Sequence, residues 1–484
     1  MNSIWIPECA AVVVLICLIL KEIFHGVGAP PCGRPVPPAG GHGGSPPCPP
    51  LHFIGLMIVF VALIFARQKF GTAFSETFIS DPFSYFFKWY FLGMFGVSLF
   101  MSFDFFSKKG RNPTEYLLVL WCSFLGFLFL VSSNDLLILF ISLEVITLSF
   151  YVLTSYAKDK TSTEAGIKYL ILGSVASACF VYGLSLLYAE AGTTQLVKLA
   201  QNLSQGFSAI SLVGFVLVLA GLGFKIAAFP FQFWVPDVYE GAPTPVAAYL
   251  ASASKIAGFA LLIRLSFVFF PLGPEIQKIF AVLAVFSILF GNLGACLQQN
   301  IKRLLAYSGI GQAGYLLIGL ATGGQESYSA MLFYFVAYGM ASLAAFYAVT
   351  LIGNSTTGDG IEFYRGMSRR SPFLSAVLFI SLLSMAGIPP LAGFFGKFLV
   401  LLYAVQGGLA GLAFWGILFI PISLYYSLRV IRAMYLEETS VKDKIEISIA
   451  SRGVLILLVT GVLLLGFWPA PLFQAAKSAA LSLF

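Results

Sequence analysis

Long apolar runs, each about 20 residues in length, alternate with short polar stretches along almost the whole chain. A run of that length lets an α-helix cross the hydrocarbon core of a bilayer. The alternation therefore predicts an all-α polytopic membrane protein with about fourteen transmembrane helices. The predicted segments are 4–24, 51–66, 82–104, 114–133, 135–156, 164–189, 209–234, 242–270, 276–297, 303–322, 328–352, 372–405, 409–435 and 453–475.

The composition agrees with a protein that is surrounded by lipid rather than by water. Of the 484 residues, 59% are hydrophobic and only 10% are charged, whereas about a quarter of the residues in soluble domains are charged. The formal net charge of +7 does not indicate nucleic-acid binding, because the basic residues fall mainly in loops and form no patch with interleaved aromatics. We therefore expect contact with a lipid bilayer and no nucleic-acid partner.

The lysines and arginines are distributed unevenly between the predicted loops. Sixteen of the 28 lie in or beside the odd-numbered loops, and five lie in the even-numbered loops and the C-terminal tail. Cytoplasmic loops carry the excess of positive charge. The bias predicts a bacterial-type inner or plasma membrane protein with both termini on the non-cytoplasmic side. Glu8 precedes Lys21 in the first run, the reverse of a signal peptide, so we expect a retained helix.

The cysteines and histidines form no pattern for a redox cofactor on this chain. None of the seven cysteines belongs to a C-x-x-C pair, and all three histidines lie near the N-terminus. Haem and iron–sulfur clusters need such ligands, so we expect the chain to carry no electrons. His25, Cys32, His42 and Cys48 lie in a Pro/Gly-rich insertion, 25–50, but their spacing is unlike that of zinc fingers, and we predict no metal site.

Two predicted helices are interrupted by proline at corresponding places in the two halves of the chain. The seventh segment contains GFKIAAFPF (223–231), and the twelfth contains MAGIPPLAGFFGK (385–397). Paired broken helices are typical of inverted-repeat transporters and point to their transport site. The pattern predicts two inverted five-helix repeats, segments 4–8 and 9–13, with broken helices 7 and 12. The predicted units are 1–113 with the insertion, 114–270, 271–435 and 436–484 with the C-terminal helix.

Charged side chains inside the apolar segments are the strongest functional signal. A lysine near the middle of a bilayer costs about 2.5–3.5 kcal/mol on insertion scales, and such residues usually mark ion or proton pathways. Lys225 and Lys255 lie within the seventh and eighth segments, and Lys397 follows the break in the twelfth. Glu144 lies near the middle of the fifth segment. We expect these four residues to carry or gate protons.

The position of the acid suggests how proton release could be controlled. If Glu144 lies beside Lys225, an ion pair would hold the proton on the lysine, and separation would let the proton leave. The alternative for this pair is a static structural ion pair, and for each lysine it is a side chain that extends to the membrane surface. That alternative is stronger for Lys168, a weaker relay candidate, and for Arg264, because both lie toward helix ends.

Several motifs carry a family resemblance. They are SLEVITLSFYVL (142–153), GLGFK (221–225), PFQFWVPDVYEGAPTPVAAYLASASKIAGFAL (230–261), NIKRLLAYSGIGQAGYLL (300–317) and SMAGIPPLAGFFGKF (384–398). On these motifs the chain resembles the subunit N family of respiratory complex I, the antiporter-like membrane-arm subunits of proton-pumping NADH–quinone oxidoreductases. The resemblance implies fourteen helices, two inverted repeats and a proton path along a central hydrated axis.

The resemblance also implies roles for single residues. Glu144 matches the family's fifth-helix glutamate, and Lys225 matches its seventh-helix lysine. Lys255 matches the lysine that bridges the two half-channels, and Lys397 the twelfth-helix lysine. Sister subunit M has a glutamate at the position of Lys397, and sister subunit L has a long amphipathic helix beyond the last segment, so the resemblance favours subunit N over both.

One position departs from the family pattern. Relatives often have a histidine where this chain has Gln312. Glutamine does not titrate, so a relay at this point would need water or Tyr315.

The resemblance implies a non-redox subunit of a translocase and a set of partners. The chain would move protons while partner subunits that hold FMN, iron–sulfur clusters and quinone carry out quinone reduction. Expected neighbours are the antiporter-like subunit M and the small subunits K and J. The alternative is a subunit of a cation/proton antiporter, or of a related membrane-bound hydrogenase or ferredoxin-driven complex, which would need the same buried charges.

Overall fold

Helices make up most of the computed structural model, because a backbone in lipid has to satisfy its own polar groups. The structure describes residues 6–26, 50–67, 70–109, 113–204, 208–269, 274–356, 358–438 and 443–484. The predicted insertion 25–50, with its candidate zinc ligands, lies outside the described residues except at its two ends.

The helices begin and end where apolar runs meet prolines, glycines and polar caps, and they are numbered here in chain order. Their bounds are α1 (Ile6–Gly26), α2 (Pro50–Phe65), α3 (Pro82–Lys109), α4 (Thr114–Ser132), α5 (Leu136–Thr154), α6 (Lys160–Ala191), α7 (Leu196–Ser204), α8 (Ala209–Ile226), α9 (Trp234–Gly241), α10 (Thr244–Tyr249), α11 (Lys255–Phe269), α12 (Pro274–Leu297), α13 (Ile301–Thr322), α14 (Gly324–Gly353), α15 (Met367–Arg370), α16 (Pro372–Ala386), α17 (Ala392–Gln406), α18 (Ala410–Leu418), α19 (Ile420–Leu436), α20 (Ile449–Phe467) and α21 (Ala470–Leu481).

Many of these helices are able to cross a membrane. Within the described ranges, eleven helical stretches are long and apolar enough to span a bilayer. Three shorter apolar helical stretches, Leu51–Phe65, Pro372–Ala386 and Ala392–Gln406, coincide with the predicted second segment and the broken twelfth. The prediction of a polytopic, mostly helical membrane protein is confirmed, and the count of fourteen spans stays a prediction.

Three local features differ from the sequence prediction. An antiparallel hairpin, β1 (Gly71–Ala73) and β2 (Phe78–Ser80), lies between α2 and α3, so the fold is not entirely α-helical. The short helix α7 follows α6 in a stretch that the prediction left as a loop. The predicted last segment, 453–475, is divided at Trp468, because Pro469 disfavours a helical conformation for the residue before it.

The helices around the candidate lysines lie at the centre of the bundle. The stretch Thr244–Phe269, which comprises α10, a π-helical turn and α11, is buried at every residue except Phe267. α13 and α14 are nearly as buried, whereas fewer than half of the residues in the spanning parts of α6, α12 and α20 are buried. Glycine permits α12 and α13 to cross closely, since a Cβ atom at Gly291 in α12 would collide with the backbone of Gly311 in α13.

Both predicted helix breaks are present and share a backbone feature. α8 ends at Ile226, and Ala227 caps it with a left-handed φ of 61°. α16 ends at Ala386, and Gly387 caps it with a left-handed φ of 90°. Prolines follow both caps and prevent the helices from continuing. Each break therefore exposes the carbonyl end of a helix within the bundle.

Hydrogen bonds and ion pairs join odd-numbered loops to one another, and others join even-numbered loops to one another and to the C-terminal tail. Links between the odd-numbered loops and the helix ends beside them are Asn300–Glu240, Lys302–Asp359 and Arg365–Glu437. Links between the even-numbered loops and the C-terminal tail are Asn134–Glu76, Gln195–Ser75 and Lys477–Glu326.

Candidate functional site: a row of buried lysines

The three candidate lysines of the central helices are enclosed within the bundle. Lys225, Lys255 and Lys397 expose 4%, 1% and 1% of their surfaces. A buried amine needs hydrogen-bond acceptors, and each of these amines has at least one. The described acceptors are a hydroxyl or backbone carbonyls, and none is a carboxylate. Neutral oxygens accept a hydrogen bond from a protonated or a deprotonated amine, so this environment is compatible with proton exchange.

Lys225 lies in the last turn of α8, just before the first break. Its Nζ donates to Thr147 Oγ1 on α5 and lies 6.0 Å from the ring centroid of Tyr151. Trp234, on the far side of the break, donates through Nε1 to the Phe224 carbonyl at 2.9 Å. The Phe224 carbonyl also accepts the Ala227 N–H at 3.1 Å, so the indole adds a second hydrogen bond at the end of α8.

Glu144 lies one turn from this lysine contact but does not pair with Lys225. Its carboxylate accepts a hydrogen bond from Ser177 Oγ on α6 at 2.6 Å, whereas Lys225 donates to Thr147. Glu144 is only half-buried, on the face of α5 that also exposes Ile141 and Leu148. In this structure the acid and the lysine are therefore in the separated arrangement.

Lys255 follows a short π-helical turn, Leu250–Ser254. Such turns widen the helix locally and occur often at functional sites. Tyr90 on α3 donates its hydroxyl to the Ser252 carbonyl within this turn at 2.5 Å. Lys255 Nζ donates to the Gly309 carbonyl in α13 at 2.7 Å. A Cβ at Gly309 would lie 2.8 Å from the amine, so a larger residue there would force the end of the lysine side chain to shift.

Lys397 folds back from α17 onto the second break. Its Nζ donates to the carbonyls of Met385 and Ala386 at 2.8 and 3.1 Å. These two residues end α16, so their carbonyls lack partners within the helix. A cation at this position also interacts favourably with the helix dipole. The amine lies 4.4 Å from the ring centroid of Tyr315, whose hydroxyl donates away from it to the Gly416 carbonyl.

Gln312 joins the surroundings of Lys397 to α14. Its Nε2 donates to the Met385 carbonyl at 2.8 Å, and its Oε1 accepts from the Tyr334 hydroxyl. The Met385 carbonyl is therefore shared by Gln312 and Lys397. Sequence reasoning identified this residue as a departure from a family pattern but did not predict that it shares an acceptor with the lysine.

The three lysines are linked to one another through packing contacts and hydrogen bonds of residues that lie one helical turn apart. Gly258, one turn after Lys255, packs on the end of α8, where its Cβ position lies 3.5 Å from the Cβ of Lys225. Gly309, which receives Lys255, precedes Gln312 by one turn on α13. Gln312 then shares its carbonyl acceptor with Lys397. The structure thus brings the three predicted lysines into one row.

Comparison with known proteins assigns the chain to a family. Residues 133–423 match the family described as "NADH:quinone oxidoreductase/Mrp antiporter, TM", and this match contains Glu144 and the three lysines of the row. The chain belongs to this family. The resemblance stated on motifs above is thereby confirmed.

Relatives agree with the family assignment along most of the chain. The chain is 40% identical to a protein named NADH-quinone oxidoreductase subunit N from Moorella thermoacetica, over 89% of this chain and 91% of that protein. It is 28% identical to a chain of respiratory complex I from Thermus thermophilus, with a TM-score of 0.81 over 98% and 99% of the two chains. A chain of the Mrp complex from Dietzia sp. shares the fold at 18% identity, with a TM-score of 0.84 over 100% and 98% of the two chains.

Lys168, the weaker candidate, does not belong to the row of buried lysines. It lies in a separate cluster of ion pairs. Its Nζ is 2.9 Å from both Glu164 and Asp237, and its side chain is 44% exposed. Arg303 Nη1 contacts Asp237 and Glu240 at 2.8 and 2.7 Å. Burial raises the pKa of Asp237, but the hydrogen bonds and charges of Lys168 and Arg303 outweigh it, so this pKa lies below its usual value.

Two buried ion pairs were not foreseen. Arg264 does not extend to the membrane surface as predicted, because its guanidinium is buried against Asp81 at 3.2 Å and also donates to the Val131 carbonyl. Lys88 contacts Glu8 at 2.6 Å, and both side chains are buried. Their positions within apolar runs were visible in the sequence, but the pairing depends on how α1, α3, α4 and α11 pack.

Proposed function

We propose that the chain is a proton-translocating, antiporter-like subunit of an NADH–quinone oxidoreductase of the complex I type. The observation that carries this proposal is the row of three buried amines, each hydrogen-bonded to neutral oxygens. Three amines cost several kcal/mol to insert into a membrane, and packing alone does not require them. The 40% identity to a protein named NADH-quinone oxidoreductase subunit N supports the assignment to this complex.

In this proposal the proton moves along the row. Lys225 takes up a proton, Lys255 passes it between the two halves of the chain, and Lys397 passes it outward or toward the adjacent subunit. Glu144 tunes Lys225, since an ion pair would retain the proton and the separated arrangement would release it. Water is needed between the amines. The helix breaks and the π-helical turn supply backbone carbonyls that can accept hydrogen bonds from such water.

Two inverted five-helix repeats, segments 4–8 and 9–13, complete the proposed architecture. The similar breaks at α8 and α16 support them, because each has a left-handed cap, a following proline and an adjacent lysine. In the first break the lysine precedes the cap, whereas in the second it follows it. Each half would then supply one half-channel, and the count of fourteen spans belongs to the same proposal.

The orientation proposed from basic residues places both termini on the non-cytoplasmic side. The two groups of linked loops support it, because odd loops contact odd loops and even loops contact even loops in the links described above. The ion-pair cluster of Lys168, Asp237 and Arg303 would then lie at the cytoplasmic end. There the Asp237 carboxylate would feed protons toward Lys225, and Lys168 is the weaker candidate for the relay itself.

The half-exposed face around Glu144 supports a partner subunit. A carboxylate that faces hydrocarbon at the middle of a span is costly, so protein rather than lipid would cover this face of α5 and α6. We propose a neighbouring membrane-arm subunit, M, K or J, as the cover. FMN, iron–sulfur clusters and quinone would be bound by partner subunits, so this chain is a non-redox part of the translocase.

The test is proton uptake by the assembled complex with Lys225→Ala. We expect quinone-coupled translocation to be abolished, because the first amine of the row is missing. Lys198→Ala removes an exposed lysine of α7 and is the matched control, with translocation unchanged. Undiminished translocation with Lys225→Ala would overturn the proposed relay.

A cation/proton antiporter subunit is the second candidate, because the Mrp chain has the same fold at a TM-score of 0.84. Copurification separates the two candidates. Isolation of the chain with flavin and iron–sulfur subunits supports the oxidoreductase, whereas isolation without them, together with sodium-dependent proton exchange, supports the antiporter.

A further inference from the structure

One face of α5 presents the acid and the contacts of Lys225 in consecutive turns. Glu144, Thr147 and Tyr151 are spaced i, i+3 and i+7, so they share a face of the helix. Lys225 contacts the second and third of these residues and not the first. Thr147 gives its own hydroxyl hydrogen to the Leu143 carbonyl at 2.6 Å, so its oxygen is the acceptor for the amine. The carboxylate therefore lies one turn from an amine that it does not bind.

The hydroxyl that holds this carboxylate comes from the neighbouring helix. Ser177 donates to Glu144 at 2.6 Å, a charge-assisted hydrogen bond. Serines within helices usually bond back to a carbonyl of their own helix. Ser174 and Ser185 on α6 do so, with bonds to Leu170 and Tyr182 at 2.7 Å. Ser177 differs from both of them.

We propose that Ser177 is a positioning residue that holds the Glu144 carboxylate out of ion-pairing distance of Lys225. A serine hydroxyl has one hydrogen to donate. When Ser177 turns back to a carbonyl of its own helix, the carboxylate loses this bond and pairs with the amine one turn away. The serine thus selects between the separated and the paired arrangement, and this inference rests on the proposed function of Lys225.

Close packing of α5 against α6 keeps the Ser177 hydroxyl within hydrogen-bond distance of the Glu144 carboxylate. Gly173, one turn before Ser177, receives the Tyr151 hydroxyl, and a Cβ atom there would collide with it. That hydroxyl is buried and has no hydrogen-bond partner among the described residues. It therefore remains available to the amine or the carboxylate when either of them moves.

The test compares three variants in the whole complex. Ser177→Ala removes the donor, Ser177→Thr keeps a hydroxyl, and Ser174→Ala removes the serine one turn earlier, which is exposed. We expect Ser177→Ala to slow quinone-coupled proton translocation about tenfold, the ratio expected for a lost hydrogen bond to a charged group. We expect Ser177→Thr to retain most of the rate and Ser174→Ala to retain all of it.

A structure of the Ser177→Ala complex supplies a readout that a merely structural role would not change. We expect the Glu144 carboxylate within ion-pairing distance of Lys225 Nζ. A carboxylate that stays on α6, or a Ser177→Ala rate equal to that of Ser174→Ala, would overturn the inference. Lys225→Ala is measured in parallel. If Lys225→Ala abolishes translocation while Ser177→Ala does not affect it, only the role of Ser177 fails, and if Lys225→Ala is fully active, the proposed function itself fails.

Discussion

At the scale of single residues, the acceptor of each buried amine is as informative as the amine. Lys255 bonds one backbone carbonyl, Lys397 bonds two at a helix end, and Lys225 bonds a threonine hydroxyl. A carboxylate in any of these places would favour a fixed charge, whereas neutral oxygens leave the amine free to exchange its proton. The proton exchange proposed for the row therefore depends on a hydroxyl and on backbone carbonyls, which no sequence pattern singles out.

Gln312 gives a prediction at this scale. Gln312→Leu leaves the Tyr334 hydroxyl without its acceptor, and an unsatisfied buried polar group costs about 1–3 kcal/mol. We expect a lower midpoint of thermal unfolding for the purified complex. Gln406→Leu, at the exposed end of α17, is the control and should leave the midpoint unchanged. Equal midpoints for the two variants would show that the Gln312 contacts do not stabilise the fold.

The sequence predicted which residues of the row are charged but not what they bind. Glu144 and the three lysines could be identified because charge in an apolar run is conspicuous. The Gly309 and Met385 carbonyls could not be identified, since every residue has a carbonyl and only packing selects the one that meets an amine. Arg264 was misjudged for the same reason, because its partner Asp81 lies far away in the chain.

At the scale of elements, interruptions in regular helices create the site. The caps at Ala227 and Gly387 end α8 and α16 inside the bundle, and the π-helical turn before Lys255 widens a third helix. Proline made the two breaks predictable from the sequence. The π-helical turn was not predictable, since LASAS contains no residue that demands it.

Gly387 gives the prediction at this scale, with Gly408 as its matched control. Both glycines have a left-handed φ, 90° and 82°, so alanine should strain the backbone by about 1–2 kcal/mol at either site. Only at Gly387 would the added Cβ lie 3.0 Å from Cδ of Lys397, and nothing lies near it at Gly408. We expect similar stability losses but slower proton translocation with Gly387→Ala alone. Translocation slowed equally by both variants would contradict a specific effect on Lys397.

At the scale of the whole molecule, buried ion pairs tie the first helices to the central ones. Asp81 at the start of α3 holds Arg264 on α11, and Glu8 on α1 holds Lys88 on α3. The apolar pattern predicted the helices of this region well, but the contacts between them arise only in the folded bundle. The hairpin β1–β2 and the helix α7 were missed because short elements in polar stretches have no long periodic signal.

The Asp81–Arg264 pair gives the prediction at this scale. Asp81→Asn keeps the cap on α3 but leaves a buried guanidinium without its charge partner, which costs about 3–5 kcal/mol. We expect a much lower yield of assembled complex, and we expect Asp81→Asn combined with Arg264→Met to recover most of it. Glu275→Gln breaks an exposed pair with Lys278 and should change little. A normal yield for Asp81→Asn alone would contradict the structural importance of this pair.

The most direct test of the central claim is proton translocation by the complex with Lys255→Met, measured against the rate of quinone reduction. Lys255 is the middle amine of the row, so a path through this chain has to use it. We predict that translocation through the assembled complex falls about a hundredfold, the ratio that 2.7 kcal/mol represents, while Lys278→Met, an exposed lysine, has no effect. Translocation that stays at the unaltered rate with Lys255→Met would contradict the claim that protons move along the buried lysines.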